Sequence, residues 1–314
     1  MANNHGKPIT VIGGLNVDIC GTSFENLLEG DSNPGKITTT LGGVGRNIAD
    51  NISRLGAPVR LVTVYGDDDK GFWAEKNCLE LWIDMSLSRM IPGEATSTYL
   101  CINDADGNVK LAISDMDICQ FIQPEFLMER MSQINRSSIV VIDANLSEEA
   151  IACLCEYCTV PIFADPVSVK KAARLKGHLD KIFCIKPNQP EAQELTGISI
   201  ENHDDLKRAA EVLLNQGVKQ VFISLGGEGV YFDNGQDRGI MPCCPGKIVD
   251  TTGCGDNFMA AAVCGYYKGE TFITMARMGL TAAALCAEVK GANRPDMNMI
   301  LLEDRMKTFG GENL

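Results

Sequence analysis

The chain has 314 residues, and 28 Lys and Arg against 41 Asp and Glu leave a formal charge of −13. A hydrophobic share of 45% with 22% charged residues is that of a globular protein with a full core, which excludes extended disorder. Such an acidic surface repels the phosphates of nucleic acids and of anionic membranes, so neither is an expected partner, whereas a small anion can still bind in a local pocket.

In chain order, the first apolar run is Ile9–Ile12, and β-branched runs follow at residues 60–64, 138–142, 161–164, 181–185 and 220–225. Amphipathic segments lie between several of them. Over residues 46–55, Ile48, Ile52 and Leu55 share one helical face and Gly56 ends the pattern. This alternation predicts an α/β fold, a mostly parallel sheet flanked by helices, with ligand sites beyond the carboxyl ends of the strands. Residues 36–41, 95–102 and 109–114 read as strands with no helix between them, and the last two flank the turn-rich 103–108. They predict a small antiparallel β lid, near 16–41 and 95–115, inserted in a single domain spanning 1–314. Its free edge makes a homodimer an expectation.

No stretch nears the roughly 18 apolar residues of a spanning helix, and the first ten residues lack the basic end and apolar run of a secretory signal. A cytoplasmic protein is expected. The thirteen cysteines follow no regular framework and read as reduced thiols, many in the core. His5, His178 and His203 all lie in polar stretches and offer little for a nucleophilic triad. Residues 30–36, GDSNPGK, imitate a P-loop, but Ile37 stands where a magnesium-binding Ser or Thr is needed and no strand leads in. Cys153, Cys155 and Cys158 lie in a helical pattern with no fourth ligand, and read as packed thiols.

The strongest signal is the segment from Asp250 through Thr251, Thr252, Gly253, Cys254 and Gly255 to Asp256, followed by a helical run. Glycines just before a helix let backbone N–H groups approach a ligand, and the helix dipole favours an anion there. Asp256 in that position reads either as a helix cap or as a general base that takes a proton from a hydroxyl. Both readings stay open on this segment alone.

This segment resembles the C-terminal signature of the PfkB carbohydrate kinases, the ribokinase-like family, with Cys254 where the family usually carries Ala. Leu41, Gly42, Gly43, Val44, Gly45, Arg46 and Asn47 are similar to its N-terminal signature, Lys186 to Glu191 to its NxxE element, and Ser224 to Gly229 to its glycine-rich nucleotide border. The resemblance implies a ribokinase-like fold and transfer of the γ-phosphoryl group of ATP. It implies that Asn16, Asp18, Gly42, Gly43 and Asn47 hold the sugar, that Asp256 is the base, and that the backbone of Gly253, Cys254 and Gly255 cradles the transferring group. Ser224, Gly226, Gly229 and Asn188 would border the nucleotide, Asn188 and Glu191 would hold Mg2+ through water, and Asp250 and Thr252 a monovalent cation, K+.

Within the family, residues 31–36, 42–49, 112–117 and 165–168 look most like the pseudouridine kinases. That likeness implies a nucleoside acceptor phosphorylated on its ribose 5′-hydroxyl. Pseudouridine carries one ring N–H more than uridine, and Asp115, Asp117 or Asn145 could supply the acceptor that reads it. A kinase of ribose or of another nucleoside, and a catalytically idle nucleoside sensor, remain as alternatives.

Overall fold

The computed structural model describes residues 6–309; His5 lies outside them. Fourteen strands are present among these residues. The main sheet takes β1 (Ile9–Ile12), β4 (Val59–Val62), β9 (Ile139–Asp143), β10 (Ile162–Asp165), β11 (Cys184–Ile185), β12 (Gln220–Ser224), β13 (Val230–Asp233) and β14 (Arg238–Met241). Its order is β14-β13-β12-β11-β10-β9-β1-β4, parallel from β4 to β12 with an antiparallel edge at β13 and β14. β5 (Val64–Gly66) and β6 (Arg89–Ile91) form a separate parallel pair.

Alternate residues of these strands feed two cores, as a two-sided sheet requires. Ile9, Val11, Val141, Phe163 and Phe222 face the helices Val44–Arg54, Cys254–Lys268 and Phe272–Ala287. Ile12, Val62, Val140, Ile142 and Val221 face the helices Glu148–Tyr157, Gln189–Thr196 and His203–Asn215. Among the described residues no helix is long and apolar enough to cross a membrane.

The lid is a four-stranded sheet of order β3-β2-β7-β8, built from β2 (Asn16–Ser23), β3 (Gly35–Gly42), β7 (Thr98–Asn103) and β8 (Val109–Asp115). Its two hairpins are antiparallel, but β2 and β7 run parallel, so the lid is mixed where a purely antiparallel sheet was expected. The reason is topological, because β7 returns to the lid only after the chain has passed through β4, β5 and β6. The false P-loop, residues 30–36, runs from the preceding turn into the start of β3 and meets no helix.

One expectation about the cysteines is corrected. Cys20 on β2 and Cys101 on β7 are register partners and are joined as a disulfide, while eleven cysteines are free, Cys153 and Cys155 buried among them.

Candidate active site

Parallel strands end on one side of the sheet, and the site is assembled there. Asp143 ends β9, and its Oδ2 accepts the N–H of Gly14 and of Gly45, each at 2.8 Å, while its Oδ1 accepts the N–H of Asn145 at 2.9 Å. Burial raises the pKa of this carboxyl group, and the hydrogen bonds oppose that rise. Asp143 thereby ties the loop after β1 to the start of the helix Val44–Arg54. Gly43 precedes that helix at φ 96°, and a Cβ there would stand 2.5 Å from the Gly14 carbonyl oxygen, so only glycine fits.

The same loop delivers Asn16 and Asp18 at the root of the lid, where Asn16 Nδ2 donates to Asp18 Oδ1 at 2.5 Å. Burial raises the pKa of Asp18, against the pull of that hydrogen bond and of the Arg46 charge. Gly42 lies across from Asn16, and the Asp18 side chain reaches over it, so that a Cβ on Gly42 would fall 2.2 Å from Asp18 Oδ2. Asn16, Asp18, Gly42 and Gly43 are therefore brought together. Asn145 stands on the same rim, close to Gly14, and its Oδ1 accepts a hydrogen bond from Lys171.

Asp115 is not brought there. In the lid register Asp18 pairs with Tyr99 and Tyr99 with Ser114, whereas Asp115 pairs with Thr98. Side chains alternate along a strand, so Asp115 lies on the opposite face from Asp18, and Ser114 holds the position facing the site. A one-residue offset, invisible without the register, separates the two.

Gly253 is the N-cap of the helix Cys254–Lys268 at φ 75°, where a Cβ would stand 2.1 Å from the Ala292 carbonyl oxygen. Asp256, the third residue of that helix, makes no capping hydrogen bond, which removes the cap reading. Its Oδ2 instead accepts from Asn47 Nδ2 at 2.9 Å. Arg46 Nη1 and Asn293 Nδ2 both donate to Asn47 Oδ1, at 3.3 and 3.4 Å, and this fixes which end of the amide faces Asp256. Asp256 is buried, and its pKa is pushed up to about 8, first by desolvation and then by the charge of Asp165, against the pull of Asn47 and Lys186. The N–H groups of this first turn have no acceptor within the helix, so a proton acceptor and an anion-binding turn coincide.

Beside them opens a cavity of about 530 Å³, lined by Lys186, Ser224, Gly226, Gly229, Cys254 and Gly255, a volume that suits a small-molecule ligand. Asn188 and Glu191 form a capping box at the helix Gln189–Thr196: Glu191 N–H donates to Asn188 Oδ1 at 2.8 Å, and Asn188 N–H to Glu191 Oε2 at 2.9 Å. The box leaves the Asn188 side-chain Nδ2 and Glu191 Oε1 for other partners. Among the described residues no three His, Cys, Asp or Glu side chains cluster to hold a metal directly. This donor set suits a magnesium ion that keeps its water and rests on phosphate oxygens. Asp250 accepts the N–H of Thr252 at 2.9 Å and of Gly291 at 3.0 Å, bracing the turn before Gly253.

Sequence reasoning passed over Asp143, Asp165, Lys186 and Asn293. The available signal was an acid as the last residue of two apolar strands, β9 and β10, at the end of the sheet where such folds bind ligands.

The pKa of Asp256 generates a test with two readouts. As a base it must be ionised, so kcat/KM should rise with pH through about 8 and be lost as the pH falls. Asp256→Asn keeps the acceptor for Asn47 but loses the base, and turnover should drop about 100-fold to 10,000-fold. Because folding raises this pKa above its ordinary value of 3.8, ionisation destabilises the native state increasingly as the pH climbs toward 8. Asp256→Asn should therefore raise Tm, and more at pH 8 than at pH 4. Calorimetric melting that shows a lower Tm with near-normal turnover would make Asp256 a structural residue.

The pattern of the pfkB family carbohydrate kinases matches residues 7–298. The chain is 35% identical to the pseudouridine kinase of Escherichia coli (strain K12), over 93% of this chain and 94% of that one. It superposes on a carbohydrate kinase from Agrobacterium tumefaciens with a TM-score of 0.84 and 28% identity, covering 96% and 97% of the two chains. A ribokinase of Arabidopsis thaliana, complexed with ribose and ATP, shares the fold with a TM-score of 0.85 at 24% identity, over 96% and 99%. With its mostly parallel sheet, its β lid and its glycine-headed helix, the chain belongs to the pfkB family of carbohydrate kinases and is a phosphotransferase with an alcohol acceptor.

Proposed function

We propose that this enzyme phosphorylates the ribose 5′-hydroxyl of pseudouridine, with ATP as donor, to give pseudouridine 5′-phosphate. The observation that carries the chemistry is the hydrogen bond between Asn47 and Asp256, 209 residues apart, which joins the sugar-side helix to the anion-binding turn. The choice of nucleoside leans on the 35% identity with the E. coli enzyme. A cytoplasmic location goes with this reading, since ATP is the donor.

In this mechanism Asn16, Asp18, Gly42, Gly43 and Asn47 hold the ribose. Asp256 takes the proton of the 5′-hydroxyl, and the backbone of residues 253–256 cradles the phosphoryl group in transfer. Ser224, Gly226 and Gly229 border the nucleotide. Phosphoryl transfer depends on positioning and charge stabilisation more than on covalent help, which suits a rigid turn under a closing lid. Magnesium, held through water by Asn188 and Glu191, would neutralise charge on the phosphates. Potassium beside Asp250 and Thr252 would stiffen the turn that those two residues already brace. Asn145, with a second lone pair free on its carbonyl, is the better candidate than Asp115 to read the extra N–H.

The lid also supports a homodimer. Ile37, Leu100, Leu111 and Ile113 share the face opposite Asp18 and are 73%, 38%, 61% and 57% exposed. A second copy of the chain would cover this apolar face. Sedimentation should give twice the 34.0 kDa of one chain, and Ile113→Asp should return a monomer; a monomeric wild type would overturn the dimer.

Two measurements address the acceptor. Asp18→Ala should weaken nucleoside binding by about 1.5 to 3 kcal/mol and leave ATP binding nearly intact, as read by calorimetry with each ligand; equal losses for both would make Asp18 structural. A comparison of kcat/KM for pseudouridine, uridine, ribose and adenosine should rank pseudouridine first, by as much as about 10,000-fold over uridine if a buried acceptor reads the N–H. Ribose or adenosine ranked first would overturn the nucleoside assignment and leave the kinase standing.

A further inference from the structure

Lys186 directly follows β11 and is only 5% exposed, yet its side chain lines the cavity. Its Nζ abuts the first turn of the helix Cys254–Lys268: a Cβ built on Gly255 would stand 3.2 Å from it. Asp165 Oδ2 lies 3.1 Å away in a buried ion pair that takes one of the ammonium donors and leaves two for other partners. A buried ammonium carries three donors and is costly to leave without acceptors. The other lysine on the cavity wall, Lys247, sits at the exposed rim.

Asp165 is held in place at a cost. Its Oδ1 accepts the N–H of Val167 at 2.9 Å, and Val167 adopts φ 66°, which a β-branched residue rarely tolerates. Strain of this kind persists where the surrounding structure fixes a group for a purpose, and what Asp165 fixes is Lys186. Lys186 N–H also donates to the Ala164 carbonyl at 3.2 Å, so backbone and side chain both hold the lysine to β10.

We propose that Lys186 is a catalytic residue whose ammonium contacts the oxygens of the phosphoryl group in transfer, together with the N–H groups of residues 255 and 256. The inference rests on the nucleotide occupying this cavity, as the proposed function has it. During the step, Asp256 takes the proton of the acceptor hydroxyl, the acceptor oxygen bonds to the γ-phosphorus, and the bond from that phosphorus to the β-phosphate oxygen breaks, its electron pair leaving with ADP. Negative charge builds on the oxygens between the entering and leaving groups, and a fixed cation there stabilises it more than it stabilises bound ATP. Asp165 keeps the lysine charged and aimed while occupying one of its three donors.

The test compares wild type, Lys186→Met and the double variant Asp165→Asn with Lys186→Met, which removes both charges and so avoids a lone buried carboxylate. Calorimetry with ATP, ADP and AMP should show AMP affinity within about 3-fold of wild type in both variants, ATP weakened by about 10-fold or more, and kcat lower by about 100-fold or more. Recovery of near wild-type kcat in the double variant would reduce Lys186 to a counter-ion for Asp165 and overturn the proposal, as would equal losses for ATP and AMP. Failure of the wild type to bind ATP at all would sink the nucleotide placement itself, a result distinct from any of these.

Discussion

Everything functional in this enzyme hangs on three hydrogen bonds to one buried carboxylate. Asp143 closes β9 and collects the N–H groups of Gly14, Gly45 and Asn145, so the end of one strand, the loop after another and the start of the Val44–Arg54 helix become a single rigid piece. Buried N–H groups left without acceptors are costly, so these segments have little freedom to part. Asn47 rides on that helix, and Asp18 on the strand β2 that the loop leads into. Both thus take their positions from a carboxylate whose hydrogen bonds all run to the backbone of the protein itself.

A second network fixes the helix from its other side. Asp50 is buried and pairs with Arg46 at 3.0 Å and Arg54 at 2.6 Å, while Asn293 Nδ2 donates to it at 2.7 Å. Asn51 Nδ2 donates to Asn293 Oδ1 at 2.7 Å, and Asn257 Nδ2 to the carbonyls of Gly253 and Ala292, each at 2.9 Å. Buried ion pairs such as these add little net stability, because desolvation offsets attraction. Their effect here is orientation. They lock the 292–293 loop between the two helices whose starts form the site, and that loop is what forces Gly253 to be glycine.

The parts of the site readable from sequence are those whose physics is local. Glycines before an apolar helical run announce an anion-binding turn whatever surrounds them, and the four residues of β1 show their strand character alone. Asn188 and Glu191 illustrate the limit, because their spacing serves a capping box and a ligand site equally well, and the structure has them capping. Lys186, Asp165 and Asp143 acquire meaning only through neighbours far away in the chain, as in the 98-residue separation between Gly45 and Asp143. The lid misled for a related reason. Whether Asp115 or Ser114 faces the site depends on how β8 pairs with β7 and β7 with β2, and β2 itself, polar and glycine-containing, does not read as a strand. The Cys20 and Cys101 pairing, across 81 residues, is equally silent in one dimension.

The two-sided lid also bears on how such an enzyme can diverge. Asp18 and Cys20 look one way and Ile19 the other, and the same alternation runs through β7 and β8. A single residue inserted in one of these strands would exchange the two faces of the rest of that strand, and in β2, ahead of Asp18, it would turn Ile19 toward the site and Asp18 to the exterior. Strand lengths in the lid are therefore expected to be inherited nearly unchanged, while the connections around residues 24–34 and 104–108 can lengthen freely. A descendant that acquires a new acceptor would get there by point substitutions two residues apart on one face, with the frame of the lid kept intact.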